Sequence, residues 1–215
     1  MNYGRIFEGV YVALVTNLML AVACSPLLAV VLTTDTGRTW PLLVLLSPLG
    51  GPALVAAFTV LRSYPDDAVQ VFWRAWRASA RRALTATALA AAVLLVLGVD
   101  AAWAWGTPGG AVALPVIAVA MTLITITTLL VLVTLAERPG ARLRDAARAG
   151  VYLAVRRWYL SLFSLLVLVF FEALLAARPA IAIGVAASPL LYIVWANSRF
   201  TLNAALNEPT IERTT

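Results

Sequence analysis

The chain has 215 residues, of which 62% are hydrophobic and 12% are charged, and its formal net charge is +6. Soluble domains are about half apolar and about one quarter charged, so this composition excludes an ordinary soluble fold. The chain has no histidine, all 16 of its basic residues are arginine, and Cys24 is its single cysteine. The usual general base, the Schiff-base lysine and the thiolate cluster are therefore missing, and we expect no enzyme activity, no cofactor and no metal site.

Six long apolar segments predict an all-α membrane protein, a single helix bundle over residues 1–215. Segments of about 17–25 apolar residues are long enough to cross the hydrocarbon core of a bilayer. In chain order, the predicted spans are 10–32, 40–61, 83–103, 111–135, 158–177 and 180–196.

The arginines predict the orientation of these spans. Loops on the cytoplasmic side of a membrane carry an excess of arginine and lysine. If the amino terminus is cytoplasmic, 14 of the 16 arginines lie inside and only Arg38 and Arg178 lie outside. The sequence therefore predicts a multi-pass membrane protein with both termini in the cytoplasm.

The inner loop between the second and third spans predicts a basic amphipathic helix that begins near Pro65. Its apolar side chains recur with helical spacing, and arginines occupy the rest of the circumference. The apolar set is Val69, Phe72, Trp73, Trp76 and Ala80, and the arginines are Arg74, Arg77, Arg81 and Arg82.

A second basic amphipathic helix is predicted before the fifth span. Its inward face comprises Leu143, Ala147, Gly150, Ala154 and Trp158, whereas Arg148 and Arg156 point away. Both stretches enter a span through an arginine pair, Arg81-Arg82 and Arg156-Arg157, at an offset of 75 residues. This shared layout indicates an internal duplication, in which spans two and three correspond to spans four and five.

The two amphipathic stretches permit two interpretations. Their arginines can bind anionic lipid head groups at the membrane surface, or the stretches can form a docking site for another protein. The residues assigned to this site are Phe72, Trp73, Arg74, Trp76, Arg77, Arg81, Arg82, Arg148, Arg156 and Arg157. No recognisable nucleic-acid-binding module is present, so we expect no nucleic-acid partner.

Polar residues and helix breaks inside the spans are the remaining candidates, because ionisable groups in a bilayer are costly. Glu172 lies in the fifth span, six residues before Arg178, which can pair with it if the chain bends at Pro179. A structural ion pair is the favoured interpretation for Glu172, and a packing contact is favoured for Asn17 in the first span. The second span is interrupted at Pro48, Gly50, Gly51 and Pro52, which we interpret first as a tight packing point or kink.

Several of these segments together resemble the YesL-like family of bacterial integral membrane proteins, whose molecular function is unknown. The resemblance is carried by Asn17, by the stretch from Pro48 through Gly50, Gly51 and Pro52 to Ala57, and by Phe72-Trp73-Arg74-Ala75-Trp76-Arg77. Genes of that family often stand beside ATP-driven sugar importers, which implies an accessory role in carbohydrate uptake. Some relatives carry a ferredoxin-reductase label, but this chain has neither a dinucleotide-binding glycine motif nor a cysteine set for an iron–sulfur cluster.

These observations predict a non-enzymatic accessory or scaffold protein that contacts the bilayer and binds an importer subunit through its inner loops; a homo-oligomer is a further expected partner. The alternative is a small permease that moves a solute itself, along a path lined by Asn17, Glu172 and the Gly50–Pro52 break.

Overall fold

The structure, a computed structural model, describes residues 3–63 and 67–206. These residues form helices joined by short turns and contain no strand, which confirms the all-α bundle. Among them, five helices are long and apolar enough to cross a membrane, and a bent pair makes a sixth if it is counted as one span.

Ten helices follow one another along the described chain. They are α1 (Tyr3–Ala23), α2 (Ser25–Thr33), α3 (Thr36–Leu46), α4 (Gly50–Ser63), α5 (Ala68–Ala104), α6 (Gly110–Glu137), α7 (Leu143–Arg156), α8 (Trp158–Ala177), α9 (Pro179–Ile181) and α10 (Ala187–Leu206). A 3₁₀ turn at Ser47–Leu49 joins α3 to α4, and a π-helical segment at Ala182–Ala186 joins α9 to α10.

The predicted first span, 10–32, is not one straight helix. The axes of Phe7–Ala23 and Ser25–Thr33 differ by 76°. Pro26 lies in the first turn of α2, where its missing N–H costs nothing but where it cannot continue the ladder of the preceding helix. The apolar run therefore contains a sharp corner at Cys24, which hydropathy alone does not reveal.

The second span, Gly37–Ser63, continues through Pro48 and Pro52 because nearby hydroxyls satisfy the carbonyls that these two prolines leave free. Pro48 cannot donate to the carbonyl of Val44, and the Ser47 hydroxyl donates to it instead at 2.9 Å. Pro52 likewise leaves the carbonyl of Pro48 free, and the Thr87 hydroxyl of α5 donates to it at 3.0 Å. The irregular turn thus lies at Ser47–Leu49, just before the glycines, and it is tied to α5.

The first amphipathic stretch is the beginning of the third span and not a separate helix. Helix α5 has 37 residues and is about 55 Å long, so it includes both the predicted amphipathic helix and the predicted span 83–103. It begins at Ala68, where the Asp67 carboxylate accepts a hydrogen bond from the backbone N–H of Gln70 at 3.1 Å. The predicted start at Pro65 lies outside the described residues.

The buried side of α5 is rotated relative to the prediction. Ala68, Phe72, Ser79 and Ala83 are buried, whereas Val69 is 39% exposed. In α7, Gly150 and Ala154 are buried as predicted, but Trp158 is 61% exposed; α7 ends at Arg156 and a new helix starts at Trp158 itself.

The core of the bundle lies where α4, α5, α6 and α10 meet. Its members include Val55, Phe58, Phe72, Val133 and Val194, all of which are almost completely buried. Helix α7 packs against α6, and α10 packs against α8 and the π-helical segment. Helix α10 also continues to Leu206, beyond the predicted end of the sixth span at residue 196. Many apolar side chains on the outer faces of α1, α5 and α8 are exposed, as expected for surfaces that face lipid.

Candidate functional site at the arginine-rich end

Most described arginines lie at one end of the bundle, where α4 and α6 end and α5 and α7 begin. We call this the arginine-rich end and define it by Arg62, Arg74, Arg77, Arg81, Arg82, Arg138, Arg142, Arg144 and Arg148. The core residues of α4 and α6 lie close to it in the chain, so the basic side chains are attached to the best-packed part of the molecule.

Two arginines fasten the end of α6 and the connection to α7. Arg62 of α4 donates from Nη1 to the carbonyl oxygen of Glu137 at 2.8 Å. Arg82 of α5 donates from Nη1 to the carbonyl oxygen of Ala141 at 3.3 Å. The Glu137 carbonyl ends α6, and carbonyls at the end of a helix have no partner within it and carry partial negative charge, so a guanidinium suits this one. These bonds hold α4, α5 and the α6–α7 connection together.

A third polar contact, which the sequence analysis missed, joins α6 to α10. The indole N–H of Trp195 donates to Glu137 Oε1 at 3.0 Å, and Arg199 Nε lies 3.8 Å from Glu137 Oε2. The Arg199 guanidinium also stacks over the Trp195 ring, 5.1 Å from its centroid. The sequence signal for this contact is weak: Trp195 and Arg199 are four residues apart, which places them on one face of a helix. Nothing in the sequence indicates that they contact Glu137.

The aromatic residues predicted for docking have different environments. Phe72 is completely buried, so it belongs to the core and not to a docking surface. Trp73 is half-buried and makes edge contacts with Phe72 and Trp76, with ring centroids 5.6 and 5.7 Å away. The indole N–H of Trp76 is buried and has no partner among the described residues. Trp73 borders a surface groove together with Arg74 and Arg77.

The predicted docking arginines also fall into two groups. Arg74, Arg77, Arg81 and Arg148 are exposed and leave their guanidinium groups accessible. The others are engaged: Arg82 contacts Ala141 as described, Arg156 contacts the hydroxyl and ring of Tyr152, and Arg157 is half-buried at the junction of α7 and α8.

Asn17 is a structural residue whose side chain bonds to backbone groups at the π-helical segment. The N–H of Ser188 would bond to the carbonyl of Gly184 in a regular α-helix. Instead, Asn17 Oδ1 accepts from the Ser188 N–H at 2.7 Å, and Asn17 Nδ2 donates to the Gly184 carbonyl at 2.9 Å. One side-chain amide thus replaces the missing backbone bond and fixes α1 to the sixth span. Asn17 is 2% exposed, so no polar atom remains for a solute.

The proposed solute-path residues do not line one common cavity. A cavity of about 780 Å³ lies between the second, third, fourth and fifth spans, away from the arginine-rich end, and Gly50 and Gly51 border it. Asn17, Glu172, Pro48 and Pro52 do not border it, and Pro52 is fully buried. Glu172 is exposed on the outer face of α8, and within the described residues it forms no ion pair with Arg178.

Gly51 is a tight packing point, as the sequence analysis favoured. A Cβ at this position would lie 2.7 Å from Thr87 Cγ2 and 3.0 Å from the carbonyl oxygen of Ala83. A Cβ at Gly50 would meet nothing within 4 Å. Among the glycines of the break, Gly51 therefore sets the close approach of α4 to α5.

No family model matches the chain, and no curated protein or solved structure shows a significant similarity to it. The resemblance to the YesL-like family therefore stays a prediction from the sequence.

Proposed function

We propose that the chain is a non-enzymatic accessory protein of the bacterial cytoplasmic membrane, which binds a subunit of an ATP-driven sugar importer through its arginine-rich end. The observation that carries this proposal is a rigid basic surface: Arg74, Arg77 and Arg81 are exposed on the same helix that buries Phe72 and Ala83 in the core. A basic surface that is already ordered pays little conformational entropy on binding and favours acidic partners. The sugar importer as partner rests on the family resemblance alone.

A pull-down from mild detergent, with the importer co-expressed, tests the proposal. We expect the double variant Arg77→Gln/Arg81→Gln to recover about tenfold less importer subunit, since loss of paired charges weakens docking. The matched control, Arg38→Gln/Arg178→Gln, removes the same charge from exposed positions that the sequence assigns to the outer side. Equal recovery with both double variants, or no importer subunit with the unaltered chain, would contradict the proposal.

The proposed orientation places the arginine-rich end in the cytoplasm, because arginine is retained on that side of the membrane. In a Cys24→Ala background, we expect Arg38→Cys to react with a membrane-impermeant maleimide in intact cells and Arg81→Cys to react only after the cells are opened. The reverse labelling pattern would overturn the orientation and, with it, the assignment of cytoplasmic termini.

The alternative proposal is a small permease. Its support is the cavity beside Gly50 and Gly51, which is lined mainly by leucine, alanine and valine, so a solute that fits there is apolar. Flux of an apolar solute into reconstituted vesicles that disappears with Gly98→Leu, which places a side chain in the open space of this cavity, would favour this alternative over the accessory role.

A further inference from the structure

A second, smaller cavity at the arginine-rich end is lined by positively charged side chains. It measures about 300 Å³ and lies between the end of α4, the first half of α5 and the end of α6. Arg62, Arg74 and Arg82 line it, and none of the described residues that line it is acidic. We propose that this arginine cavity is a binding site for a phosphate group.

The arrangement of the three guanidinium groups supports an anion between them. Arg62 and Arg82 are each held by one backbone carbonyl, which uses a single donor and leaves further N–H donors on each group. Arg74 has no partner among the described residues. Three positive charges around one cavity repel one another, and a bound anion removes this repulsion.

Among the described residues, the carboxylates nearest to the cavity in the chain have other partners. The Glu137 carboxylate contacts Trp195 and Arg199, and only its backbone carbonyl contacts Arg62. The Asp67 carboxylate caps the first turn of its own helix through the N–H of Gln70. The described residues therefore leave the positive charge of the cavity uncompensated, which is what a bound anion requires.

Phosphate fits this chemistry better than a simple halide. The planar fork of a guanidinium group donates two parallel hydrogen bonds to phosphate oxygens, and these charge-assisted bonds are about twice as strong as neutral ones. The apolar residues Val55, Val71 and Leu135 border the same cavity and can contact the organic part of a phosphate ester. The phosphate can belong to a phospholipid head group or to free phosphate, and the two sources are separable by experiment.

The test uses the purified full chain. One arm measures thermal unfolding in neutral detergent with inorganic phosphate, against chloride at equal ionic strength. The other arm measures retained phospholipid by native mass spectrometry after exchange into mixed phosphatidylglycerol and phosphatidylcholine nanodiscs. A stabilising shift in the first arm identifies free phosphate, and selective retention of phosphatidylglycerol in the second identifies the lipid.

Arg74→Gln is the decisive variant, because Arg74 lines the cavity and forms no bond with other described residues, so its loss is not expected to unfold the protein. We expect about tenfold weaker binding of whichever probe binds, and Arg74→Lys to retain part of it. Arg81→Gln is the matched control, since Arg81 is exposed on the same helix and does not line the cavity. Equal losses with Arg74→Gln and Arg81→Gln, or no binding in either arm, would overturn the proposal.

Discussion

The two halves that the sequence relates by an offset of 75 residues have the same plan but different helix continuity. We define the first half as α3 to α5 and the second as α6 to α8. Helix α5 begins at Ala68 and α7 begins at Leu143, 75 residues later. The buried sides match at one position only: Ser79 and Ala154 are both buried, whereas the other buried residues in the first half of α5 have half-buried or exposed counterparts. However, α5 continues without a break, whereas the second half breaks at Arg157, between α7 and α8.

We attribute the difference to side-chain size at one position. Ala83 of α5 is completely buried beside Gly51, where α4 and α5 are in close contact. Its counterpart in the second half, 75 residues on, is Trp158, which is 61% exposed. An indole ring does not fit in a site shaped for a methyl group, so the chain turns at Arg157 and directs Trp158 outward. No glycine or proline lies at this break; Arg157 ends α7 with φ −122° and ψ 44°.

The largest expected effect on stability comes from exchanging the side chains at positions 83 and 158. Ala83→Trp forces a large ring into the close contact between α4 and α5, and we expect it to lower the free energy of unfolding by about 3 kcal/mol or more. Trp158→Ala removes an exposed side chain and is the matched control, with an expected change within about 0.5 kcal/mol. Thermal unfolding followed by circular dichroism in detergent measures both. If both variants unfold alike, side-chain size does not explain the break.

Gly50 and Gly51 test the same contact with a smaller change in side-chain volume. Gly51→Ala places a methyl group against Thr87 and the Ala83 carbonyl, and we expect a loss of about 1–3 kcal/mol. Gly50→Ala meets open space, and replacing a helical glycine there stabilises by up to about 1 kcal/mol. Unfolding by denaturant measures the free energy of unfolding of both variants. A larger loss of stability with Gly50→Ala than with Gly51→Ala would show that the wrong glycine has been assigned to the contact.

Helix α1 stands outside both halves, and Asn17 tests how it is attached. Asn17→Ala leaves the Gly184 carbonyl and the Ser188 N–H without partners, and we expect a loss of about 1–2 kcal/mol. Thr16→Val is the control, because Thr16 is equally buried but bonds only to the Val12 carbonyl of its own helix. Hydrogen exchange should increase at Ser188 in the first variant alone. Unchanged protection there would exclude the bridging role of Asn17.

The smallest effect is expected at the contact between α6 and α7 in the second half. A Cβ at Gly150 would lie 3.2 Å from the carbonyl oxygen of Thr127, so the neighbouring helix must move by only a few tenths of an ångström. We expect Gly150→Ala to cost about 1 kcal/mol, less than Gly51→Ala. A larger loss than that of Gly51→Ala in the same unfolding assay would reverse the comparison, and the second half would then be the more tightly packed.

Much of the candidate site was readable from the sequence, but its partners were not. Helical spacing and arginine content located the basic surface, and Arg74, Arg77, Arg81 and Arg148 are exposed as a docking surface requires. The same pattern wrongly assigned Phe72 to that surface, because an apolar side chain on an amphipathic helix fits either a core or a partner. The bonds from Arg62 to Glu137 and from Trp195 to Glu137 join residues far apart in the chain, and no local pattern predicts them.

The sequence by itself determined the number of apolar segments, the ends of the fifth span and the concentration of arginine in a few loops. These features depend on hydropathy and charge, which are local properties of each segment. Only the tertiary structure decided where those segments bend. The corner at Cys24, the continuity of α5 and the break at Arg157 depend on which side chains meet across helices. Close packing between neighbouring helices sets these positions. The amino-acid sequence alone does not give the distances between side chains on different helices, on which that packing depends.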